Sequence, residues 1–214
     1  MPPCPHAILE LVSIGQIEQA GAASRLTLEE WAQLDEDEPG ELVEGELVQE
    51  EMPTFAHELV VVLLGAVLNA WLLPRGGCAA GSEGKLAVRP RRGRKPDLFA
   101  YLPGARRPGL SVSLLRLPPS IVVEVLTPRP RDVRRDRLEK VEDYAAFGVP
   151  WYWIMDPELR TLEIWELGPD GRYVHALGAA GGKIEGVPGC PELTIDLDAI
   201  WAQLDALGEG DGEG

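Results

Sequence analysis

The chain is short of cysteine, of basic residues and of long apolar runs, and each shortage excludes a class of protein. Three cysteines, Cys4, Cys78 and Cys190, are scattered and odd in number, with no Cys-x-x-Cys pair. That argues against a zinc site or disulfide framework and for a reducing cytoplasm. The longest apolar candidate, Leu59 to Leu73, reads as too short for a bilayer and contains Asn69 and Trp71. The N-terminus, Met1-Pro2-Pro3-Cys4-Pro5-His6, lacks the basic-then-apolar form of a signal peptide. A cytoplasmic protein with no membrane segment is therefore expected. Basic residues number 20 against 35 acidic, a net charge of −15, which looks wrong for a nucleic-acid binder. The distribution changes that view. From Lys85 to Lys140 there are 15 Lys and Arg against 5 Asp and Glu, leaving 5 against 30 elsewhere. The middle of the chain is basic and its surround acidic.

What is present is enough for a sizeable core: 214 residues with 45% hydrophobic content. Residues 1–24 have weak periodicity and read as an N-terminal extension, 25–207 as one domain, and 208–214 as a disordered acidic glycine tail. Thr27-Leu28-Glu29-Glu30 has the form of a capping box, predicting a helix over Leu28 to Asp35. An acidic turn follows, ending at Pro39-Gly40. Glu41 to Val48 alternates about Glu44-Gly45 and reads as a hairpin. Thr54 caps a helix from Phe55 to Leu73, whose Leu59, Val62, Leu63, Ala66, Val67 and Ala70 are expected to pack on a sheet. Strands are predicted over Lys85 to Arg89, Asp97 to Leu102, Ser120 to Leu126 and Trp151 to Met155. Between the first two lies a basic loop, Pro90 to Lys95. A charged helix is predicted over Asp132 to Phe147, an outer hairpin over Thr161 to Leu177, and a last helix over Asp196 to Leu207. The pattern is mixed α/β, with a central sheet, helices on its faces and an added C-terminal β-hairpin.

One residue in the central strand does not fit its surroundings. Ser120-Ile121-Val122-Val123-Glu124-Val125-Leu126 reads as a strand covered on both faces, with Ile121, Val123 and Val125 on one side and Val122, Glu124 and Leu126 on the other. A carboxylate at Glu124 needs a cation, a proton or a solvent cleft. Asp97 opens the preceding predicted strand. If the two strands are neighbours, both carboxylates can hold a hard divalent cation, magnesium or manganese. Each also has a plain alternative: a turn carboxylate after Pro96, and a buried Glu paired with arginine. Lys140 lies on the following helix and could steady charge on a phosphate, or simply face solvent. Tyr144, one turn later, reads as core.

The chain resembles the Uma-two family of restriction endonucleases, within the PD-(D/E)XK nuclease superfamily, over roughly Leu26 to Trp201. The resemblance rests on Glu41-Leu42-Val43-Glu44-Gly45-Glu46-Leu47, His57, Lys95-Pro96-Asp97, Ile121 to Pro128, Lys140, Tyr144, Gly148-Val149-Pro150, Tyr152-Trp153-Ile154 and Asp156-Pro157. It implies a restriction-endonuclease-like α/β fold with a four-stranded mixed sheet flanked by helices. It implies Asp97 and Glu124 as metal-binding carboxylates, and Lys140 as the catalytic lysine moved onto the helix. Glu41 it implies as an extra acid supplied from the first helix, near the start of a hairpin that begins a residue or two later. Leu126 stands where a Glu-x-Lys signature would place lysine.

The function expected is a magnesium-dependent endonuclease hydrolysing DNA, with catalytic Asp97, Glu124, Lys140 and Glu41 and no small-molecule cofactor. Arg91, Arg92, Arg94, Lys95, Arg131, Arg134 and Arg135 are candidates to track a phosphate backbone, against the alternative of a self-neutralised surface. His57 reads as structural, and Trp151-Tyr152-Trp153 as core rather than as a base-stacking platform. The alternatives are a non-catalytic nucleic-acid-binding or scaffold protein that keeps the fold, and a nuclease acting on RNA. A homodimer through the apolar helix and the hairpin would suit cutting of both strands.

Overall fold

Thr27 and Glu30 start the first helix, α1 (Leu28–Ala32), by reciprocal capping. The Glu30 N–H donates to Thr27 Oγ1 at 3.2 Å, and the Thr27 N–H to Glu30 Oε2 at 2.8 Å. The computed structural model describes residues 25–34, 40–49, 52–81, 83–127 and 135–208, without the side chains of 135 and 136. The expected extension, acidic turn, acidic tail and the first residues of the charged helix lie outside that set. Strands β1 (Glu41–Val43) and β2 (Glu46–Val48) form the expected hairpin, turning on Glu44 at φ 53° and Gly45 at φ 84°. Two consecutive left-handed residues match the twist of the flanking strands, which is why glycine serves here. Glu41 is the first residue of β1, so this acid comes from a strand and the hairpin does not begin later.

Helix α2 (Phe55–Leu72) is capped by Thr54, whose hydroxyl accepts from the His57 N–H, and a tight turn, Leu73–Arg75, extends it to Gly76 at φ 81°. The run Phe55–Arg75, with mean hydropathy 1.9, is long and apolar enough to cross a membrane, longer than the sequence suggested. In this fold it packs on the sheet. The buried side is Val60, Val61, Leu64, Leu68, Trp71 and Leu72, while Val62, Ala66 and Ala70 face out. The expected face was misassigned because the helix is apolar nearly all round, so its periodicity selects no side.

Next come β3 (Cys78–Gly81), β4 (Lys85–Arg89), β5 (Arg92–Arg94), β6 (Leu98–Tyr101), β7 (Leu114–Leu115) and β8 (Ile121–Val125). The stretch expected to be a basic loop thus contains a strand. Gly93 in β5 makes room for Trp31 of α1, since a Cβ there would stand 2.2 Å from the indole ring. Helix α3 (Lys140–Phe147), entered through a π-type turn at Arg135–Glu139, crosses from β8 to β9 (Trp151–Asp156). A crossover of this kind is what a parallel pair requires. The chain continues through β10 (Thr161–Leu167), β11 (Tyr173–Ala179), β12 (Lys183–Val187), β13 (Cys190–Asp196) and α4 (Leu197–Asp205), which Asp196 caps.

The central sheet has six strands, in the order β11-β10-β9-β8-β6-β3, rather than the four implied. Within this sheet, among the described residues, β8 and β9 alone run parallel. The expected outer hairpin, β10–β11, is continuous with this sheet, and β12–β13 is a further hairpin that the sequence reading missed. A second sheet runs β2-β1-β5-β4-β7. Ile121, Val123 and Val125 face one apolar cluster with α2, α4 and the β12–β13 hairpin. Val122 and Leu126 face another, with Leu86, Val88, Tyr144 and Tyr152. Glu124 points into that second layer.

Candidate active site

Glu124, next to last in β8, is 2% exposed and meets an ammonium and a hydroxyl rather than solvent. Lys140 Nζ donates to its Oε2 at 2.9 Å, and the Tyr144 hydroxyl donates to its Oε1 at 2.5 Å. Lys140 and Tyr144 stand four residues apart on α3, so one helical face supplies both. Burial, and then the Glu124 charge, raise the Tyr144 hydroxyl well above its ordinary pKa of 10.0, which keeps it a donor. Tyr144 is therefore core and site together, where the sequence suggested core alone.

Asp97 joins the same end of the sheet. The antiparallel register pairs Leu98 with Val123, so the next step along sets Asp97 beside Glu124. The strands are neighbours, as the paired-carboxylate idea required. Asp97 Oδ2 accepts from the Val125 N–H at 2.7 Å, and His57 Nε2 lies 3.3 Å from the same oxygen. His57, read as structural, is brought to the site by the first turn of α2. Asp97 keeps 19% of its side chain open to solvent, so it stands nearer the mouth than Glu124.

Glu41 completes a second buried cluster behind Lys140. Its Oε2 meets Arg94 Nη1 at 2.6 Å, its Oε1 accepts from the Lys95 N–H at 3.0 Å, and Lys140 Nζ lies 3.7 Å from Oε1. Burial pushes the Glu41 carboxyl up, but Lys140, Arg94 and the Lys95 N–H outweigh it and hold the group below its ordinary 4.5. Arg94 has no exposed surface and also reaches Asp143, with Nε 2.8 Å from Oδ2. Burial disfavours its charge, yet the two carboxylates raise its pKa further.

Arg94 is thus withdrawn from the phosphate-facing set, because a fully buried guanidinium ion-paired with Glu41 and Asp143 cannot meet a nucleic acid. Arg92 pairs with Asp143 at 3.0 Å and Glu44 at 2.7 Å, and Lys95 with Glu83 at 2.6 Å. Arg91 is exposed. Arg131, Arg134 and the side chain of Arg135 lie outside the described residues. Arg89, Arg91 and Arg116 line an open groove of about 490 Å³ together with Glu29, which pairs with Arg116. The sequence reading gave no role to Asp143. Its signal was available: Asp143 follows Lys140 by three residues and so shares its helical face.

The donor chemistry at Asp97 and Glu124 fits a hard divalent cation. Among the described residues no group of three or more His, Cys, Asp or Glu converges on a point, so no all-protein cage exists. Magnesium needs none, taking one or two carboxylates and filling its shell with water and phosphate. Glu124 presents both oxygens to donors of α3, Oε2 to Lys140 and Oε1 to Tyr144.

A family described as "Uma2: Putative restriction endonuclease" matches residues 27–198. Among solved structures, one described as a "putative nuclease belonging to DUF820" from Anabaena variabilis ATCC 29413 matches with a TM-score of 0.65 and 18% identity, covering 84% of this chain and 99% of that one. At that identity the likeness shows a shared fold. A comparison with curated proteins found no match.

Proposed function

This chain belongs to the Uma2 restriction-endonuclease family, and on that premise we propose that it hydrolyses DNA phosphodiester bonds with a divalent cation held by Asp97 and Glu124. The observation that carries this is the register that sets Asp97 beside Glu124 on adjacent strands, with Glu124 buried and bonded to Lys140. A cation there would polarise a phosphoryl oxygen and ease deprotonation of an attacking water. Asp97, the more open carboxylate, would hold the cation, and the Val125 N–H fixes its orientation. Tyr144 holds one oxygen of Glu124 in place. The Lys140 ammonium stands ready to steady negative charge on phosphate. Glu41 acts through Lys140, 3.7 Å away, which makes it a positioning residue rather than a catalytic one. The groove lined by Arg89, Arg91 and Arg116 is where the phosphate backbone would run, with Arg91 exposed and Arg89 and Arg116 also meeting Asp143 and Glu29.

A specific observation favours a second reading. Glu124 and Glu41 are already neutralised by the chain's own Lys140 and Arg94, as in a structural ion-pair network. That pattern suits a nucleic-acid-binding module retaining the fold without its chemistry. The discriminating experiment incubates the full chain with supercoiled plasmid, single-stranded DNA and RNA, with magnesium or manganese. The nuclease reading expects wild-type cleavage of DNA that chelator stops and Asp97→Asn abolishes. DNA binding without cleavage in any metal supports the second reading.

A further inference from the structure

Six side chains of alternating charge run outward from the site: Glu124, Lys140, Glu41, Arg94, Asp143 and Arg92. Successive partners lie 2.9, 3.7, 2.6, 2.6 and 3.0 Å apart. The chain ends at the surface, where Arg92 meets Glu44, whose side chain is 66% exposed. The first five are buried, so each depends on its neighbours for compensation.

The order of charges matters for one atom, Lys140 Nζ. Two buried carboxylates, Glu124 and Glu41, compete for it. Were Glu41 to have no other cation, it would draw the ammonium away from Glu124. Arg94 meets the opposite oxygen of Glu41 and removes that pull. The guanidinium is a rigid fork, and its orientation comes from Asp143, which takes Nε at 2.8 Å. Asp143 stands three residues after Lys140 on α3. The pair therefore ties the helix carrying the lysine to β5, and through Glu41 to β1.

We propose that Arg94 and Asp143 are positioning residues for Lys140, acting through Glu41 to hold its ammonium against Glu124. Neither touches the substrate in this arrangement. The role rests on the nuclease reading of the site, but the placement of the ammonium can be read without it.

The test compares wild type with Asp143→Asn and Asp143→Glu, in plasmid cleavage and in the ¹⁵N spectrum of the lysine ammonium groups. Asp143→Asn removes the anion that orients Arg94, while Asp143→Glu keeps the charge on a longer stem. The expected result is a kcat lowered about 10- to 100-fold in Asp143→Asn, as for a group displaced by about an ångström. KM should be unchanged, with partial recovery in Asp143→Glu. The Lys140 ammonium signal should move in the same order, while that of the exposed Lys183 stays put. If Asp143→Asn does not fold, Asp143→Glu alone reads the shift. A folded variant whose kcat and Lys140 signal both match wild type overturns the proposal. If wild type cleaves nothing, the nuclease reading fails, and the ammonium signal still decides: movement keeps the positioning claim, and no movement ends it.

Discussion

The two faces of β8 are held by different physics. On one, Ile121, Val123 and Val125 join an apolar cluster with side chains from α2, α4 and the β12–β13 hairpin. On the other, Glu124 stands between Val122 and Leu126 and opens a buried chain of charges that crosses to the second sheet. An apolar face loses a methyl group locally: a cavity forms and the neighbours relax part way. A charge chain has no such tolerance, because removing one member leaves the next buried and uncompensated. Whole networks of this kind can be exchanged for apolar residues with little loss, and sometimes with gain. Stability alone therefore does not explain why this face is charged. The chemistry proposed for Glu124 and Lys140 would.

The largest effect that would sharpen the contrast is at Arg94. Arg94→Met leaves Glu41 and Asp143 without their shared cation and should cost roughly 3–5 kcal/mol in urea unfolding. Adding Glu41→Leu and Asp143→Leu to that variant should recover most of the loss. If Arg94→Met costs under about 1 kcal/mol, the charged face is no more demanding than the apolar one. On the apolar side, Leu64→Ala should cost about 2–5 kcal/mol by opening a cavity under α2. That loss should be the same at every pH from 5 to 8, roughly the range in which the unperturbed histidine alone changes charge.

Smaller still is Tyr144→Phe. It deletes one hydrogen bond to an ionised carboxylate, worth about 1.5–3 kcal/mol. Equal stability of Tyr144→Phe and wild type would mean that Glu124 does not rely on this hydroxyl. The smallest effect concerns acid. Because the Glu41 carboxyl is held below its ordinary 4.5, its contribution is present above that value and fades as pH falls through the lowered one. Unfolding free energy measured downward from pH 7 should fall more steeply for wild type than for Glu41→Gln. Parallel curves would show that Glu41 gains nothing from Lys140 and Arg94.

These elements differ in how visibly they were written in the sequence. The strand carrying Glu124 was legible because a lone acid in a β-branched run has few explanations, and its face assignment followed from a period of two. The helix caps at Thr27 and Thr54 and the turn at Glu44-Gly45 were legible for the same reason: they are local. The Asp97–Glu124 neighbourhood was only conditional, since the pairing of β6 with β8 is a long-range fact. The buried face of α2 was not readable from a helix apolar on most sides. Arg94 was misread most clearly. A run of Arg91, Arg92, Arg94 and Lys95 looks like a solvated basic loop, but β5 alternation turns Arg94 inward, where Glu41 and Asp143 wait on other elements. Its partners lie 53 and 49 residues away in the chain, beyond the reach of any local pattern.

The most direct test of the central claim is a calorimetric titration of the full chain with manganese and magnesium, comparing wild type with Asp97→Asn and Glu124→Gln. A cation site formed by these carboxylates predicts saturable binding to wild type that each substitution abolishes, with both variants still folded. Undiminished binding in both variants, or none to wild type with or without DNA, would contradict it and leave Glu124 as a buried structural acid.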